Sequence, residues 1–138
     1  MWAFLSRNRD AGILILRIGL GGFFVWAHGW GKLAGGIDRW EQIGGAMKYF
    51  GITLWPAYWG FMAMLAESLG ALLVVLGFLF RPACMMLTIT MIVAAVFSYY
   101  NPSGKMPPLA AASNAIQMAV VFFSLIFIGP GRYSVDRE

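Results

Sequence analysis

The chain is short of charge. Of its 138 residues only 12% are charged, whereas a soluble domain carries about 25%, and that deficit leaves too little polarity to cover a globular surface in water. Cysteine is nearly absent. The single Cys84 excludes an internal disulfide, a Cys-x-x-Cys redox pair and a thiolate metal cage. One histidine, His28, stands among nine methionines, a poor donor set for a haem, which normally takes two good axial ligands, so no metal site is expected. The ten basic residues are scattered rather than gathered on the concentrated face that marks nucleic-acid binding, and no nucleic-acid partner is expected. Gly104-Lys105 lacks the rest of a phosphate-binding loop, and Asn101-Pro102-Ser103 fails as a glycosylation site because proline intervenes. Disorder is excluded too: disordered segments are poor in aromatics, and this chain is 16% aromatic.

Apolar residues fill the space that charge leaves. They make up 60% of the chain, with a mean hydropathy of +0.73. A membrane span takes about 20 residues of helix, and four apolar stretches have the length, at about 11–30, 56–80, 83–99 and 109–128. Strands of a membrane barrel would alternate apolar and polar positions; the run ALLVVLGFLF at 71–80 does not. The expected fold is therefore all-α, an integral membrane four-helix bundle forming a single domain, with the lipid bilayer as its first partner. Arg7 and Arg9 before the first run resemble the start of a signal peptide, but the run continues past that length and carries Arg17, which predicts an uncleaved first span.

The connections differ in kind. A tight turn at Arg81-Pro82 makes spans two and three antiparallel neighbours, with Pro82 suited to the first helical position. The stretch NPSGKMPP at 101–108 reads as a loop. In the longest connection, 31–55, Trp40, Ile43, Met47 and Phe50 recur at helical spacing among charged residues, which predicts a short amphipathic helix at the interface between spans one and two, a lid over one end of the bundle. Trp26, Trp30, Trp55, Trp59, Tyr58, Tyr99 and Tyr100 fall near span ends on that side, where an aromatic belt belongs. The terminal side holds Arg7, Arg9, Arg81, Arg132 and Arg137, against Lys32, Arg39, Lys48 and Lys105 opposite. By the positive-inside rule this excess of one leans toward cytoplasmic termini.

The sharpest signal is ionisable residues inside spans. Arg17 lies within span one and Glu67 near the middle of span two. A charge at a span centre costs about 2.5–3.5 kcal/mol on the insertion scale, and such residues face the interior and find a partner. Arg17 with Glu67 is the expected pair. Arg17, Gly21, Phe24 and His28 are spaced by four, three and four, on one helical face; Gly60, Ala63, Glu67, Ala71 and Val74 share another. Cys84, Thr88, Met91, Ala95 and Ser98 on span three, and Ser113, Gln117 and Ser124 with Asn114 beside them on span four, predict a polar core common to all four helices. Histidine as a residue type handles protons near neutral pH, so His28 suits either a helix end or a proton-handling or quinone-contacting role. Cys84-Met85-Met86 has soft-metal donors but reads as packing.

These residues carry a family resemblance. The segment RIGLGGFFVWAHGWGK at 17–32 resembles the first-span pattern of the DoxX family, ESLGALLVVLGFLFR at 67–81 followed by Pro82-Ala83 resembles its second, and GPGRYSVD at 129–136 is similar to its tail. The matching positions are Arg17, Gly21, His28, Gly29, Lys32, Glu67, Gly77 and Arg81. Asn114 departs from the acidic residue that many members carry early in span four, which removes a second carboxylate. The resemblance implies a four-span bacterial inner-membrane protein. Some relatives are associated with redox systems, among them a small subunit of a thiosulfate:quinone oxidoreductase and a membrane partner of superoxide dismutase and a sulfurtransferase. The expectation that follows is a membrane subunit of a redox system, with Arg17, His28 and Glu67 lining a pocket for a quinone or another small polar molecule and Trp26, Trp30 and Trp59 against its ring. Lys32, Arg81, Gln117 and Asn114 complete the candidate set. Without an internal cofactor motif the chain is not expected to be a self-sufficient oxidoreductase; electrons would come from partner proteins or a bound cofactor. The competing reading is non-enzymatic, a scaffold of a membrane complex or a small permease.

Overall fold

The computed structural model describes residues 2–136; Arg137, one of the basic residues of the orientation count, lies outside them. A short helix α1 (Ala3–Arg7) leads into α2 (Arg9–Ala34), followed by α3 (Gly36–Gly44), a 3-10 segment (Gly45–Phe50), α4 (Pro56–Leu76), α5 (Phe80–Tyr100) and α6 (Pro108–Ile128). The four long helices are apolar and long enough to span a membrane, and no strand occurs among the described residues. The expected membrane four-helix bundle with an intervening amphipathic helix is the fold observed.

Boundaries follow from local chemistry. Span one continues past Trp30 to Ala34, because neither glycine nor the single charge at Lys32 stops a helix that is packed on one side. Span two ends at Leu76 rather than near Phe80, because Gly77 takes φ +68°. Its N–H reaches the Val74 carbonyl at 3.2 Å, while the Phe78 N–H reaches Leu73 O at 3.0 Å, a Schellman ending that only glycine adopts without strain. The turn between spans two and three is therefore Gly77–Leu79, and Arg81-Pro82 belongs to the first turn of α5, where the missing proline N–H costs nothing. No side chain within the turn caps α5. Asp136 from the chain's far end does so, accepting the Phe80 N–H at 3.2 Å.

The core lies between all four spans. Phe24 of α2 meets Phe122 of α6 edge-on, centroids 5.4 Å apart, over Val74, Phe80, Leu87, Met91 and Leu125. The helices α5 and α6 form the closest hairpin, and α2 packs along the second half of α4. The outer faces are lined with exposed Ile15, Phe23, Val120 and Phe127, as expected where hydrocarbon replaces water.

The lid is held backbone to backbone. A Cβ at Gly44 would collide with the Pro56 carbonyl, and one at Gly60 with the Trp40 carbonyl; small residues are what permit such an approach. Trp40 then anchors the lid's start, its indole N–H donating to Lys32 O at 3.0 Å and its ring standing 5.2 Å from Phe61. The helical spacing expected through Phe50 ends at Gly44. The tighter 3-10 winding beyond it leaves Phe50 46% exposed and instead stacks Tyr49 on Tyr100 at 4.8 Å, with the Tyr49 hydroxyl accepting from Asn101 Nδ2 at 2.6 Å.

Candidate functional site

Arg17 and Glu67 do not pair. Arg17 is 1% exposed and spends its guanidinium on backbone carbonyls: Nε on Val74 at 2.9 Å, Nη2 on Val75 at 2.7 Å, and Nη1 on Pro130 at 3.0 Å and Tyr133 at 2.6 Å. The first two belong to the last turn of α4, where Val74 O otherwise accepts only the Gly77 N–H of the helix end and the carbonyls carry the negative end of the helix dipole. The other two belong to the tail 129–136. Its charge is thus balanced by oriented dipoles, and the fork geometry of arginine serves two segments at once. Gly77 is required beside it, since a Cβ there would meet the guanidinium as well as strain the backbone. Arg17 faces inward as its helical phase predicts, but its partners are backbone carbonyls, two of them brought from Pro130 and Tyr133, which no side-chain pattern marks.

Glu67 finds Lys32 instead. Its Oε2 accepts from Lys32 Nζ, the one salt bridge among the described residues, with the carboxylate 1% and the lysine 18% exposed. Both partners sit in or beside an irregularity of their helix. Residues Val25–Gly29 of α2 and Ala66–Gly70 of α4 each widen into a π-turn, and these two turns face each other, where a Cβ on Gly29 would press on Ser68 Cα at 3.1 Å. Such turns insert one residue into the helical count and recur at functional sites. The insertion explains a displaced residue. Upstream the buried positions Arg17, Gly21 and Phe24 keep the expected phase, but the next buried position is Gly29, not His28. His28 is half-buried, its ring 4.6 Å from Phe24, and makes no hydrogen bond among the described residues.

Above the ion pair lies a half-open cavity of about 440 Å³ lined by the lid, α4 and α5. Lys32 and Glu67 supply its charged wall, and Arg39 and Gln42 of the lid its polar rim. Trp59, Met62, Met86, Ile89 and Phe97 give the apolar body. The Trp59 indole N–H is held by Leu54 O at 3.1 Å. A lysine ammonium has three donors, so with one on Glu67 two remain for a guest. The cavity can therefore receive a small apolar molecule that carries one hydrogen-bond acceptor.

The other sequence-derived candidates separate from this site. Arg17 lies beyond two turns of α4 at the terminal end. Trp26 and Trp30 are 72% and 68% exposed and point outward, as belt residues do. Asn114, Gln117 and Ser124 of α6 are exposed rather than part of a common polar core, because α6 turns Ala112, Phe122 and Leu125 inward. Arg81 is at the terminal end, its Nε donating to Ile126 O at 3.1 Å. Cys84 is buried in the core. What sequence reading missed is the Lys32–Glu67 pair and the lid residues Arg39 and Gln42. The step of four from His28 to Lys32 was the available signal, masked because Lys32 looked like the first loop residue.

The comparisons with known proteins agree with this architecture. The chain is 27% identical over 133 residues to the inner membrane protein YqjF of Escherichia coli (strain K12), covering 96% of this chain and 95% of that protein. No solved structure matches significantly. The DoxX family model matches residues 12–100, a stretch that holds all but the first turn of span one, spans two and three, the lid, both π-turns and the Lys32–Glu67 pair, and on that match the chain is a member of the DoxX family.

Proposed function

We propose that the chain is a membrane subunit of a redox system that binds a quinone or a chemically similar ring compound under the lid. The observation that carries the reading is the cavity of about 440 Å³ with Lys32–Glu67 on its wall. Ligand pockets run about 300–1,000 Å³, mostly apolar with a few placed polar groups. In this reading the free N–H donors of Lys32 hold a ring oxygen, Glu67 orients the ammonium, and Trp59, Met62 and Ile89 pack the ring. His28 and Arg17 take no part in holding the ring, and electrons come from a partner protein. The setting is the inner membrane, as the name of the Escherichia coli relative says of that protein, with both termini cytoplasmic. Lys32 is consumed by an internal ion pair, so among the described loop residues Arg39, Lys48 and Lys105 face Arg7, Arg9, Arg81 and Arg132, still an excess on the terminal side.

The test is to purify the full chain from its own membrane, extract the lipids and measure quinone per chain. Near-stoichiometric quinone, lost in an Ile89→Trp variant that fills the cavity, is expected; quinone at the level of the surrounding membrane refutes the reading. A fluorescent reporter that is dark in the periplasm, fused at the C-terminus, tests the orientation: bright cells are expected, and dark expressing cells reverse it.

A further inference from the structure

The opposite end of the bundle holds a second concavity, of about 470 Å³, with a different chemistry. It lies between the start of α2, the start of α5 and the tail that follows α6, and Arg9, Arg81 and Arg132 line it with Asp10, Ile13 and the backbone of Gly129–Gly131. Three guanidinium groups and one carboxylate line it. That carboxylate is engaged, with Asp10 Oδ1 accepting the Arg132 backbone N–H at 3.2 Å. Neither Arg9 nor Arg132 has a side-chain partner among the described residues, whereas Arg81 is tied to α6 through Ile126 O.

The helix dipoles add to the same sign. The N-termini of α2 and α5 open toward this end, and N-termini favour anions. Of the two C-termini there, α4 has its last carbonyls taken by Arg17 and α6 gives the Ile126 carbonyl to Arg81. Asp136 caps the N-terminus of α5, so the positive field that remains comes from the α2 N-terminus and the Arg9 and Arg132 guanidinium groups, in a recess that begins where the spans leave the hydrocarbon. We infer that this recess binds a phosphate group, with Arg9 and Arg132 as its free ligands and Arg81 as a fixed one. Guanidinium forks suit phosphate oxygens, and basic recesses between spans at the membrane surface suit anionic lipid headgroups. The inference stands apart from the ring-binding cavity, which lies at the other end of the molecule.

Two sources of the group are separable. In one arm, the full chain in nanodiscs of phosphatidylcholine with one-fifth phosphatidylglycerol is released into a mass spectrometer and its retained lipids are identified. In the other, lipid-depleted chain in neutral detergent is titrated with inorganic phosphate. Retention of phosphatidylglycerol well above its share identifies a headgroup site, and saturable binding of inorganic phosphate identifies a site for the free anion. An Arg9→Gln/Arg132→Gln variant is expected to lower either preference about twenty-five-fold, from about fivefold for each surface arginine. A Lys48→Gln/Lys105→Gln variant removes the same charge at the far end and is expected to change neither. No preference in either arm overturns the inference, as does a preference that the first variant keeps or the second abolishes equally. If the first variant fails to accumulate, Arg9→Lys/Arg132→Lys, which keeps the charge and loses the fork, is expected to retain binding with a weaker preference, and full retention of the preference counts against recognition by the guanidinium groups.

Discussion

Replacing Glu67 with glutamine and Lys32 with methionine, singly and together, distinguishes the pair seen here from the Arg17–Glu67 pair that helical phase alone predicts. Glu67 is 1% and Lys32 18% exposed. Lys32→Met strands a carboxylate in the interior, at a cost of about 3–5 kcal/mol. Glu67→Gln leaves an ammonium that is partly open to the cavity and still has an amide oxygen to donate to, so its cost is nearer 2 kcal/mol. The double variant leaves no buried charge, and the expected coupling between the two sites is about 2–3 kcal/mol. Arg17 grips Val74 and Val75, and Val74 lies two helical turns beyond Glu67, about 10 Å along the axis. At that separation, Arg17→Met and Glu67→Gln should add to within about 0.5 kcal/mol. Reversible unfolding in bicelles, followed by steric trapping, reads all of these differences. Coupling of 1 kcal/mol or more between positions 17 and 67, or none between 32 and 67, would refute the reasoning.

Arg17→Met should destabilise the chain by about 3–5 kcal/mol, because four carbonyls lose a charged donor at once; Arg17→Lys should recover only part of it, since one ammonium cannot bridge both segments, and accumulation in membranes with thermal unfolding in detergent measures both. Gly60→Ala places a methyl against the Trp40 carbonyl, so it should lift the lid at about 1–3 kcal/mol and raise quenching of Trp59 by acrylamide; Gly19→Ala, with open space at its Cβ, should do neither. A brominated quinone analogue added to the purified chain should quench Trp59 strongly, and Trp59→Phe should remove more of the change than Trp26→Phe and Trp30→Phe together; equal quenching of all three would place the ring outside the cavity.

Apolar length and turn chemistry made the fold legible. Four runs without interior proline between short polar connections have few solutions in a bilayer, and even the lid was announced by the spacing of Trp40, Ile43 and Met47. The site was legible in its residues and not in its pairing. Arg17 and Glu67 stand out because a charge inside a span needs compensation, but the sequence advertises only side chains as compensators. The carbonyls that hold Arg17 come from a helix end and from a tail more than a hundred residues away, and no residue type marks them. On α6 the error had another source: alternation of polar and apolar positions identifies a stripe without saying whether it turns to the core or away, and Ala112 and Phe122 decided against Asn114 and Gln117.

The two π-turns explain why one charged pair sits under the lid while another charge seals the opposite end. With α2 in unbroken α phase, His28 would follow Phe24 into the interface and Lys32 would lie on the same inward line as Arg17. The inserted residue brings Gly29 into the contact instead, and glycine there lets α2 approach Ser68 at the level of the matching irregularity in α4. A close crossing fixes the separation between the two helices on either side of it. Toward the termini they stay packed, with Gly21 against Ala71 and Val75, and Arg17 ties off the end of α4. Toward the lid, Lys32 reaches Glu67 from the side, and the wall of the cavity forms where packing would otherwise continue. Shifting the helical phase beyond the widening should therefore act on the cavity before it acts on the core. Deletion of Gly31, between the π-turn and Lys32, turns Lys32 by about 100° around the α2 axis, breaks the Lys32–Glu67 register and leaves the Arg17 clamp intact. The expected product is a folded chain with an empty or closed cavity, read as retained thermal unfolding with lost ring binding; loss of the Arg17-dependent stability in the same variant would show that the two ends are not separable.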